Sequence, residues 1–215
     1  MLRNEVRAST TLSVSEVYQS FQGEGLLSGT PSLFIRLQGC NIRCSWCDQK
    51  SSLEFKSKDL KTIDELLDMA SGLKHIVITG GEPMAHSGLP ALVRTLLKKG
   101  HTVQIETNGT LWQDGLESLS NLFITCSPKP VVNWTVHPKV LDSLFELKFV
   151  VDKELTLDVL LREDFRPHLD FKTTLQPEGN KEEFFQKAWE IAKKLSEIGY
   201  SVRVLPQLHK ILGFS

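Results

Sequence analysis

Short apolar runs rich in β-branched residues alternate with amphipathic helical stretches along this chain of 215 residues. This alternation is typical of an α/β fold in which parallel strands are joined by right-handed helical crossovers. No internal repeat, low-complexity stretch or long linker interrupts the pattern, so we expect residues 1–215 to form a single domain. The predicted strands cover residues 33–38, 75–79, 102–106, 122–126, 147–151, 172–176 and 201–205.

Helical periodicity separates these strands, over residues 63–71, 89–99, 139–145, 155–162 and 181–198. The pairs Thr62 with Glu65, and Asn180 with Glu183, have the spacing of a capping box at a helix start. The strands are too few for an eight-stranded barrel. We therefore predict a partial, open β/α barrel of about six parallel strands, with an open doubly wound sheet as the alternative.

Polar and glycine-rich segments follow the carboxyl ends of the predicted strands. In parallel α/β folds, these strand ends form the ligand-binding face of the sheet. Each segment alone is compatible with an ordinary turn, but their shared placement predicts a functional cavity. The segments are the TGGEP sequence at 79–83, ETNG at 106–109, SPKP at 127–130, QP at 176–177 and PQLH at 206–209.

Three cysteines, Cys40, Cys44 and Cys47, form a CxxxCxxC motif after the first predicted strand. Three thiolates are one fewer than a closed tetrahedral metal site needs, so they leave a coordination position open to a ligand that is not protein. The spacing favours a three-cysteine iron–sulfur cluster. The same residues are also compatible with three other interpretations: a buried stripe of cysteines on one helix face, a disulfide pair, and a zinc site completed by Cys126 or a histidine. Cys126 itself is interpreted as a core thiol.

The overall composition narrows the functional classes further. The formal net charge is −1, which gives no electrostatic reason to expect nucleic acid as a ligand. No apolar run approaches the ~18 residues of a membrane span. Residues 1–11 are polar and mixed in charge, without the apolar segment of a secretory signal. We therefore expect a cytoplasmic protein with neither nucleic-acid nor membrane partners.

A set of motifs spanning residues 17–212 resembles the radical S-adenosylmethionine (radical SAM) superfamily and, within it, the family of 7-carboxy-7-deazaguanine synthases. The CxxxCxxC motif and the GGEP segment are typical of the superfamily, and the remaining motifs of the synthase family. The set comprises QGEG at 22–25, LFIRLQGC at 33–40, CSWCD at 44–48, ITGGEP at 78–83, IETNG at 105–109, SPKP at 127–130 and LPQLHK at 205–210.

The resemblance implies a [4Fe–4S] cluster on Cys40, Cys44 and Cys47, with S-adenosyl-L-methionine on the free iron. The pair generates a radical that abstracts a substrate hydrogen, and Trp46 would shield the cluster from solvent. The implied reaction converts 6-carboxy-5,6,7,8-tetrahydropterin to 7-carboxy-7-deazaguanine with loss of ammonia, a step in queuosine precursor biosynthesis. The implied SAM-binding residues are Gly80, Gly81, Glu82, Thr107, Ser127, Lys129 and Gln176.

The residues implied to bind the substrate suit a carboxylated pterin. Arg36 can bind the substrate carboxylate through two parallel hydrogen bonds, and Glu24 or Glu106 can accept from the amino and ring N–H edge of the pterin. Arg36 shares a predicted strand face with Phe34 and Gln38, so an inward, uncompensated charge would need a partner; a strand-end salt bridge is the alternative. The full set is Gln22, Glu24, Arg36, Thr79, Glu106 and His209.

One position departs from the family pattern. The family has Thr or Ser directly after CxxCD, where its hydroxyl belongs to a Mg²⁺ site, and this chain has Gln49. A glutamine carbonyl can bind Mg²⁺ but is longer, so we expect the Mg²⁺ dependence to be weakened or altered. The resemblance also implies a homodimer and a flavodoxin or ferredoxin as electron donor. The alternatives are a glycyl-radical-enzyme activase and a non-catalytic zinc or iron–sulfur module.

Overall fold

A nine-stranded sheet with the order β3-β1-β2-β4-β5-β6-β7-β8-β9 organises the described part of the chain. The computed structural model describes residues 10–56 and 59–214, so residues 1–9 of the polar amino-terminal segment lie outside it. The strands are β1 (Thr11–Phe21), β2 (Pro31–Leu37), β3 (Leu60–Thr62), β4 (His75–Gly80), β5 (Thr102–Thr107), β6 (Leu122–Cys126), β7 (Leu144–Val151), β8 (Thr173–Pro177) and β9 (Arg203–Val204).

Strands β2 and β4 to β9 run parallel, whereas β1 pairs antiparallel with both β2 and β3. The predicted open, mostly parallel α/β sheet is therefore confirmed. Strands β1 and β3 lie outside the predicted strands. In β1 only Leu12 and Val14 are buried and the other residues are half-buried or exposed, whereas a parallel strand buried on both faces is a nearly continuous apolar run.

Helices follow most of the parallel strands. They are α1 (Ile63–Met69), α2 (Leu89–Lys98), α3 (Pro138–Asp142), α4 (Leu157–Leu160), α5 (Glu182–Glu197) and α6 (Leu208–Leu212). The capping box of Thr62 and Glu65 forms at the start of α1. The predicted cap at Asn180 is wrong. Lys181 is the N-cap of α5, and Asn180 instead exchanges two hydrogen bonds with the Gln207 backbone.

Two further helix predictions need correction. The predicted helix over residues 139–145 is too long, because α3 ends at Asp142 and β7 begins at Leu144. The short apolar run there fits either helical or strand periodicity, and pairing with β6 and β8 decides for the strand. Helix α6 lies outside the predicted helices, although its first three residues, 208–210, belong to the LPQLHK motif.

The two faces of the parallel sheet differ sharply in polarity. Alternate residues such as Ile35, Ile76, Ile105 and Leu147 are fully buried in one continuous apolar core on the outer face. The other alternate residues point to the inner face, where most of the side chains are polar or charged. They include Arg36, Thr79, Gln104, Glu106, Thr125, Glu146, Lys148, Thr174 and Gln176. The two-residue period of a strand thus gives the sheet a polar interior.

Candidate active site

A cavity of about 760 Å³ opens over the inner face of the sheet and the loops at the strand carboxyl ends. Glu82 is the one predicted site residue that does not line it. Those that do are Gln22, Glu24, Arg36, Cys40, Cys44, Trp46, Cys47, Gln49, Thr79, Gly80, Gly81, Glu106, Thr107, Ser127, Lys129, Gln176 and His209. The strand-end segments therefore converge as the sequence predicts.

The cysteines lie in a loop after β2 that is neither helix nor strand, which excludes the helical stripe. All are free thiols, Cys40 buried and the other two half-buried. The loop is attached through its backbone, since Gly39 N–H donates to Ser52 O at 2.8 Å and Cys40 N–H to Leu53 O at 2.9 Å. Burial raises the pKa of Cys40 and Cys44, and the Lys129 ammonium opposes this at Cys44.

The GGEP turn after β4 packs directly on the cysteine loop. The Glu82 N–H donates to Gly39 O at 2.8 Å. A β-carbon at Gly81 would collide with the Gly39 carbonyl and lie 2.7 Å from Ser52 O, so only glycine permits this approach. Gly80 has φ of 142°, in the region that favours glycine. These two glycines therefore set the spacing between the turn and Cys40.

The Glu82 carboxylate is buried and directed into the protein. It accepts from Thr107 Oγ1 at 2.7 Å, Met84 N at 2.9 Å and Asn108 N at 2.7 Å. Burial raises the pKa of Glu82, while these hydrogen bonds oppose the shift. Glu82 thereby joins the GGEP turn to the loop after β5. Its side chain contributes no surface to the cavity.

The cavity is also lined by a lysine bonded to a serine hydroxyl and by a glutamine whose amide oxygen has no hydrogen-bond partner in the described part of the chain. Lys129 Nζ donates to Ser127 Oγ at 2.6 Å and lies 5.2 Å from the centre of the Trp46 ring. Burial lowers the pKa of Lys129. The buried Gln176 Oε1 has no hydrogen-bond partner among the described residues. A buried, unsatisfied amide oxygen that faces a cavity is expected to meet a ligand or water.

At the other end of the cavity, Glu24 and Glu106 flank one buried lysine, Lys148. Lys148 Nζ lies 2.5 Å from Glu24 Oε2 and 3.3 Å from Glu106 Oε1. Two amides add hydrogen bonds: Gln207 Nε2 donates to Glu24 Oε1 at 2.8 Å, and Gln22 Nε2 donates to Glu106 Oε1 at 3.2 Å. Both oxygens of Glu24 therefore accept hydrogen bonds, whereas these contacts of Glu106 use Oε1 alone, and both residues line the cavity.

Arg36 is buried and lines the cavity, and its charge is compensated by an ion pair within the protein, as in the salt-bridge alternative. Its Nε donates to Glu16 Oε1 at 2.5 Å and its Nη2 to Tyr18 Oη at 2.9 Å. Both partners belong to β1, the strand that the sequence analysis omits. These bonds occupy one edge of the guanidinium, and the edge formed by Nη1 and Nη2 remains for an anion.

The carboxyl-terminal segment closes over the end of the cavity that contains Glu24 and Lys148. Leu208 N–H donates to Gly23 O at 2.8 Å, and a β-carbon at Gly23 would collide with the His209 ring. Lys210 Nζ lies 3.6 Å from Asp48 Oδ2 and donates to Gln207 Oε1 at 2.8 Å. Helix α6 therefore joins the QGEG loop to the cysteine loop.

The donor set fits an iron–sulfur cluster with a bound methionyl group. Among residues 10–56 and 59–214, no three His, Cys, Asp or Glu side chains are placed to hold one metal ion. A cluster needs no such convergence, because its cysteines bind different irons. The three thiols beside Lys129, Ser127 and the unpaired Gln176 oxygen suit a cluster and an amino acid moiety. The Mg²⁺ position fits poorly, since Asp48 neighbours the Lys210 ammonium and Gln49 offers only an amide oxygen.

Several cavity residues are absent from the sequence prediction. Glu16 and Tyr18 belong to an unpredicted strand, and Gln207 and Lys210 lie in the LPQLHK motif without a predicted role. Lys148 carries a signal that identifies it: a lone lysine in the apolar run LKFVV of a predicted parallel strand. Lysine is almost never fully buried unless paired, so such a position predicts an internal ion pair.

Comparison with known proteins assigns the class. The Radical SAM superfamily model matches residues 34–213, so the chain belongs to the radical SAM superfamily. A 7-carboxy-7-deazaguanine synthase from Aquifex aeolicus (strain VF5) is 54% identical over 98% of each chain. One from Thermoplasma acidophilum is 35% identical over 93% of this chain and 96% of its own. QueE from Escherichia coli superposes with a TM-score of 0.73 at 28% identity, covering 95% of this chain and 98% of that one.

Within the superfamily, the chain therefore belongs to the 7-carboxy-7-deazaguanine synthase family. The resemblance identified from the motifs is confirmed, including the radical SAM class and the α/β fold. No helix in the described part of the chain is long and apolar enough to cross a membrane.

Proposed function

We infer that this protein is a 7-carboxy-7-deazaguanine synthase, which converts 6-carboxy-5,6,7,8-tetrahydropterin to 7-carboxy-7-deazaguanine with loss of ammonia in queuosine precursor biosynthesis. The observation that carries this inference is the 54% identity to such a synthase over 98% of both chains. The cavity supports it, because it combines three free cysteines at one end with paired acidic and basic side chains at the other. No observation favours a glycyl-radical-enzyme activase or a zinc module.

Cys40, Cys44 and Cys47 would hold the [4Fe–4S] cluster, and S-adenosyl-L-methionine would bind beside it. Together these groups supply the one-electron chemistry that abstracts a substrate hydrogen atom. The proposed SAM contacts are Thr107, Ser127, Lys129, Gln176 and the backbone of Gly80 and Gly81. Glu82 contributes by holding Thr107 and the Asn108 backbone, and Trp46 shields the cysteine loop.

The proposed substrate contacts distinguish the two ends of a carboxylated pterin. The free edge of Arg36 receives the carboxylate in a paired hydrogen bond. Glu24 and Glu106 accept from the amino and ring N–H groups, while Gln22, Thr79 and His209 complete the cavity wall. Holding the substrate in one orientation in a closed cavity limits side reactions of the radical.

Anaerobic incubation tests the function directly. Reconstituted protein, SAM, a reductant and 6-carboxytetrahydropterin should give 7-carboxy-7-deazaguanine by mass spectrometry, and the reconstituted protein should be brown with an EPR spectrum that changes on SAM addition. Formation of 5′-deoxyadenosine without this product would assign the radical to another substrate. A colourless zinc protein would contradict the radical reaction altogether.

We propose that Mg²⁺ contributes little here, because Gln49 stands where a hydroxyl is expected and Lys210 lies near Asp48. The turnover rate of metal-stripped enzyme should be less than about threefold lower without Mg²⁺ than with it. The variant Gln49→Thr supplies the missing hydroxyl and should respond more strongly to Mg²⁺ than the parent. A strong requirement of the parent enzyme, met only by Mg²⁺, would contradict this proposal.

We propose a cytoplasmic homodimer that receives electrons from a flavodoxin or ferredoxin and has neither nucleic-acid nor membrane partners. The four free thiols and the proposed cluster require a reducing compartment. The net charge of −1 gives no basis for nucleic-acid binding. Sedimentation of the reconstituted protein measures the oligomeric state, and turnover with each reduced donor identifies the partner.

A further inference from the structure

Lys148 lies at the centre of the substrate end of the cavity and has no role in the function described so far. It projects from the inner face of β7, and its side chain is only 6% exposed. Its ammonium contacts Glu24, from the QGEG loop, and Glu106, from the end of β5. Among the described residues, it is the one cation that forms an ion pair with either carboxylate.

The arrangement leaves both carboxylates with acceptor capacity toward the cavity. An ionised carboxylate offers about four acceptor positions. Glu24 accepts hydrogen bonds from Lys148, Gln207 and Gln176, and Glu106 accepts from Lys148 and Gln22. Both residues also line the cavity, so their remaining lone pairs are available to a ligand that carries hydrogen-bond donors.

Charge balance explains why Glu24 stays ionised. Burial alone raises the pKa of Glu24, but the Lys148 ammonium, followed by hydrogen bonds from Gln207, Lys148 and Gln176, lowers it well below its ordinary value. Burial lowers the pKa of Lys148, and the carboxylates of Glu106 and Glu24 outweigh this and raise it. Without the ammonium, the effect of burial on Glu24 would be largely unopposed.

We propose that Lys148 is a positioning and specificity-determining residue, which holds Glu24 and Glu106 side by side as two acceptors for the donor edge of a 2-amino-4-oxopyrimidine ring. The proposal rests on the proposed function, because it names the part of the pterin that this end of the cavity recognises. An ionised carboxylate accepts hydrogen bonds only, so the pair selects a ring edge with N–H donors and disfavours one with carbonyl oxygens.

The other charged groups around the pair have partners of their own. Glu146, on β7, accepts from Thr174 Oγ1 at 2.6 Å and from Leu26 N at 3.0 Å, below the cavity. Lys129 is bonded to Ser127, and Arg36 on β2 pairs with Glu16 on β1 beside Tyr18. On the carboxyl-terminal side, Lys210 is bonded to Gln207 and lies near Asp48, and Glu178 pairs with Lys181. Lys148 is therefore the group whose removal changes the ionisation of Glu24.

The test replaces Lys148 with methionine, Lys148→Met, and measures the Kd of 6-carboxytetrahydropterin by anaerobic calorimetry on the reconstituted, SAM-loaded enzyme. Protonation of the free pterin changes the Kd of both proteins equally, so it cancels in the ratio of the variant Kd to the wild-type Kd. Between about pH 8.5 and about pH 6 this ratio should rise about tenfold, because each pH unit below a raised carboxyl pKa reduces the ionised fraction about tenfold. A merely structural role would give a ratio independent of pH.

Two conservative variants and a surface control complete the experiment. Lys148→Arg keeps the charge, so its Kd ratio to the wild-type enzyme should not change with pH. Lys148→Gln keeps a hydrogen-bond donor without the charge, so its Kd ratio should depend on pH as in Lys148→Met. This second neutral variant serves as the test if Lys148→Met fails to fold. Lys139 contacts Asp114 at 2.6 Å and Glu117 at 3.4 Å on the surface. Lys139→Met therefore removes a lysine from a similar pair of carboxylates and should leave pterin binding unchanged.

A substrate analogue tests the specificity separately. The 2-oxo analogue of the pterin presents a carbonyl where the substrate has an amino group. Wild-type enzyme should bind it more weakly than the pterin, and in Lys148→Met at low pH this preference should shrink. The role of Lys148 would be overturned if the Kd ratio were independent of pH in both Lys148→Met and Lys148→Gln. It would also be overturned if Lys148→Met at low pH preferred the pterin over its 2-oxo analogue as strongly as the wild-type enzyme does. Absence of product from the wild-type enzyme would instead contradict the proposed function.

Discussion

Replacing Cys40, Cys44 or Cys47 singly with alanine is expected to lower turnover by at least about 10³-fold, because the cofactor that they would hold carries the difficult chemistry. Each variant should also lose bound iron, visible as loss of the brown absorbance and of the EPR signal after reconstitution. The fold should survive, since the cysteines lie in a loop outside the sheet and Cys44 and Cys47 are only half-buried. Circular dichroism and iron analysis measure the two properties independently.

Cys126 provides the matched control within the same chain. Its thiol belongs to the apolar core on the outer face of β6, and burial raises its pKa far above the ordinary value. Cys126→Ala should lose about 1 kcal/mol of stability through a small cavity and keep its iron and its turnover. Loss of iron from this variant, or full iron content in Cys44→Ala, would contradict the assignment of the cluster ligands.

Gly81→Ala is expected to lower turnover by about 100-fold or more, since displacing a reacting centre by ~1 Å can have an effect of this size. The added methyl group would collide with the Gly39 carbonyl and lie 2.7 Å from Ser52 O. Both neighbours are backbone atoms, so the strain cannot be relieved by a side-chain rotation. The cysteine loop must then move away from the GGEP turn, at a cost of about 1–3 kcal/mol in folding free energy.

Gly100→Ala separates this local effect from a general loss of stability. Gly100 follows α2 with φ of 90°, so alanine is strained there, but nothing lies within 4 Å of the added carbon. This variant should unfold at a lower temperature and retain the turnover of the folded enzyme. The SAM-induced EPR change should be altered in Gly81→Ala alone. Equal losses of turnover in the two folded variants would show that spacing at the cysteine loop is not critical.

The parallel sheet was predictable because its evidence is local. A strand buried on both faces appears as a short apolar run, and the predicted run at residues 122–126 coincides with β6. Strand β1 was not predictable in this way, because its alternating residues resemble a polar loop until β2 and β3 pair with it. Asn180 has the spacing of an N-cap but forms hydrogen bonds with the Gln207 backbone. These bonds depend on the position of the carboxyl-terminal segment in the folded protein.

The sequence by itself determined the family, the open parallel fold and which segments meet at the cavity, because motif spacing and strand-end placement follow from neighbouring residues. The tertiary structure alone decided the charge pairing inside it. Lys148 and Glu24 are separated by 124 positions and meet only when the QGEG loop packs against the inner face of the sheet beside β7. The pairing of buried charges depends on their distance and desolvation in the folded state, and neither property can be inferred from neighbouring residues in the sequence.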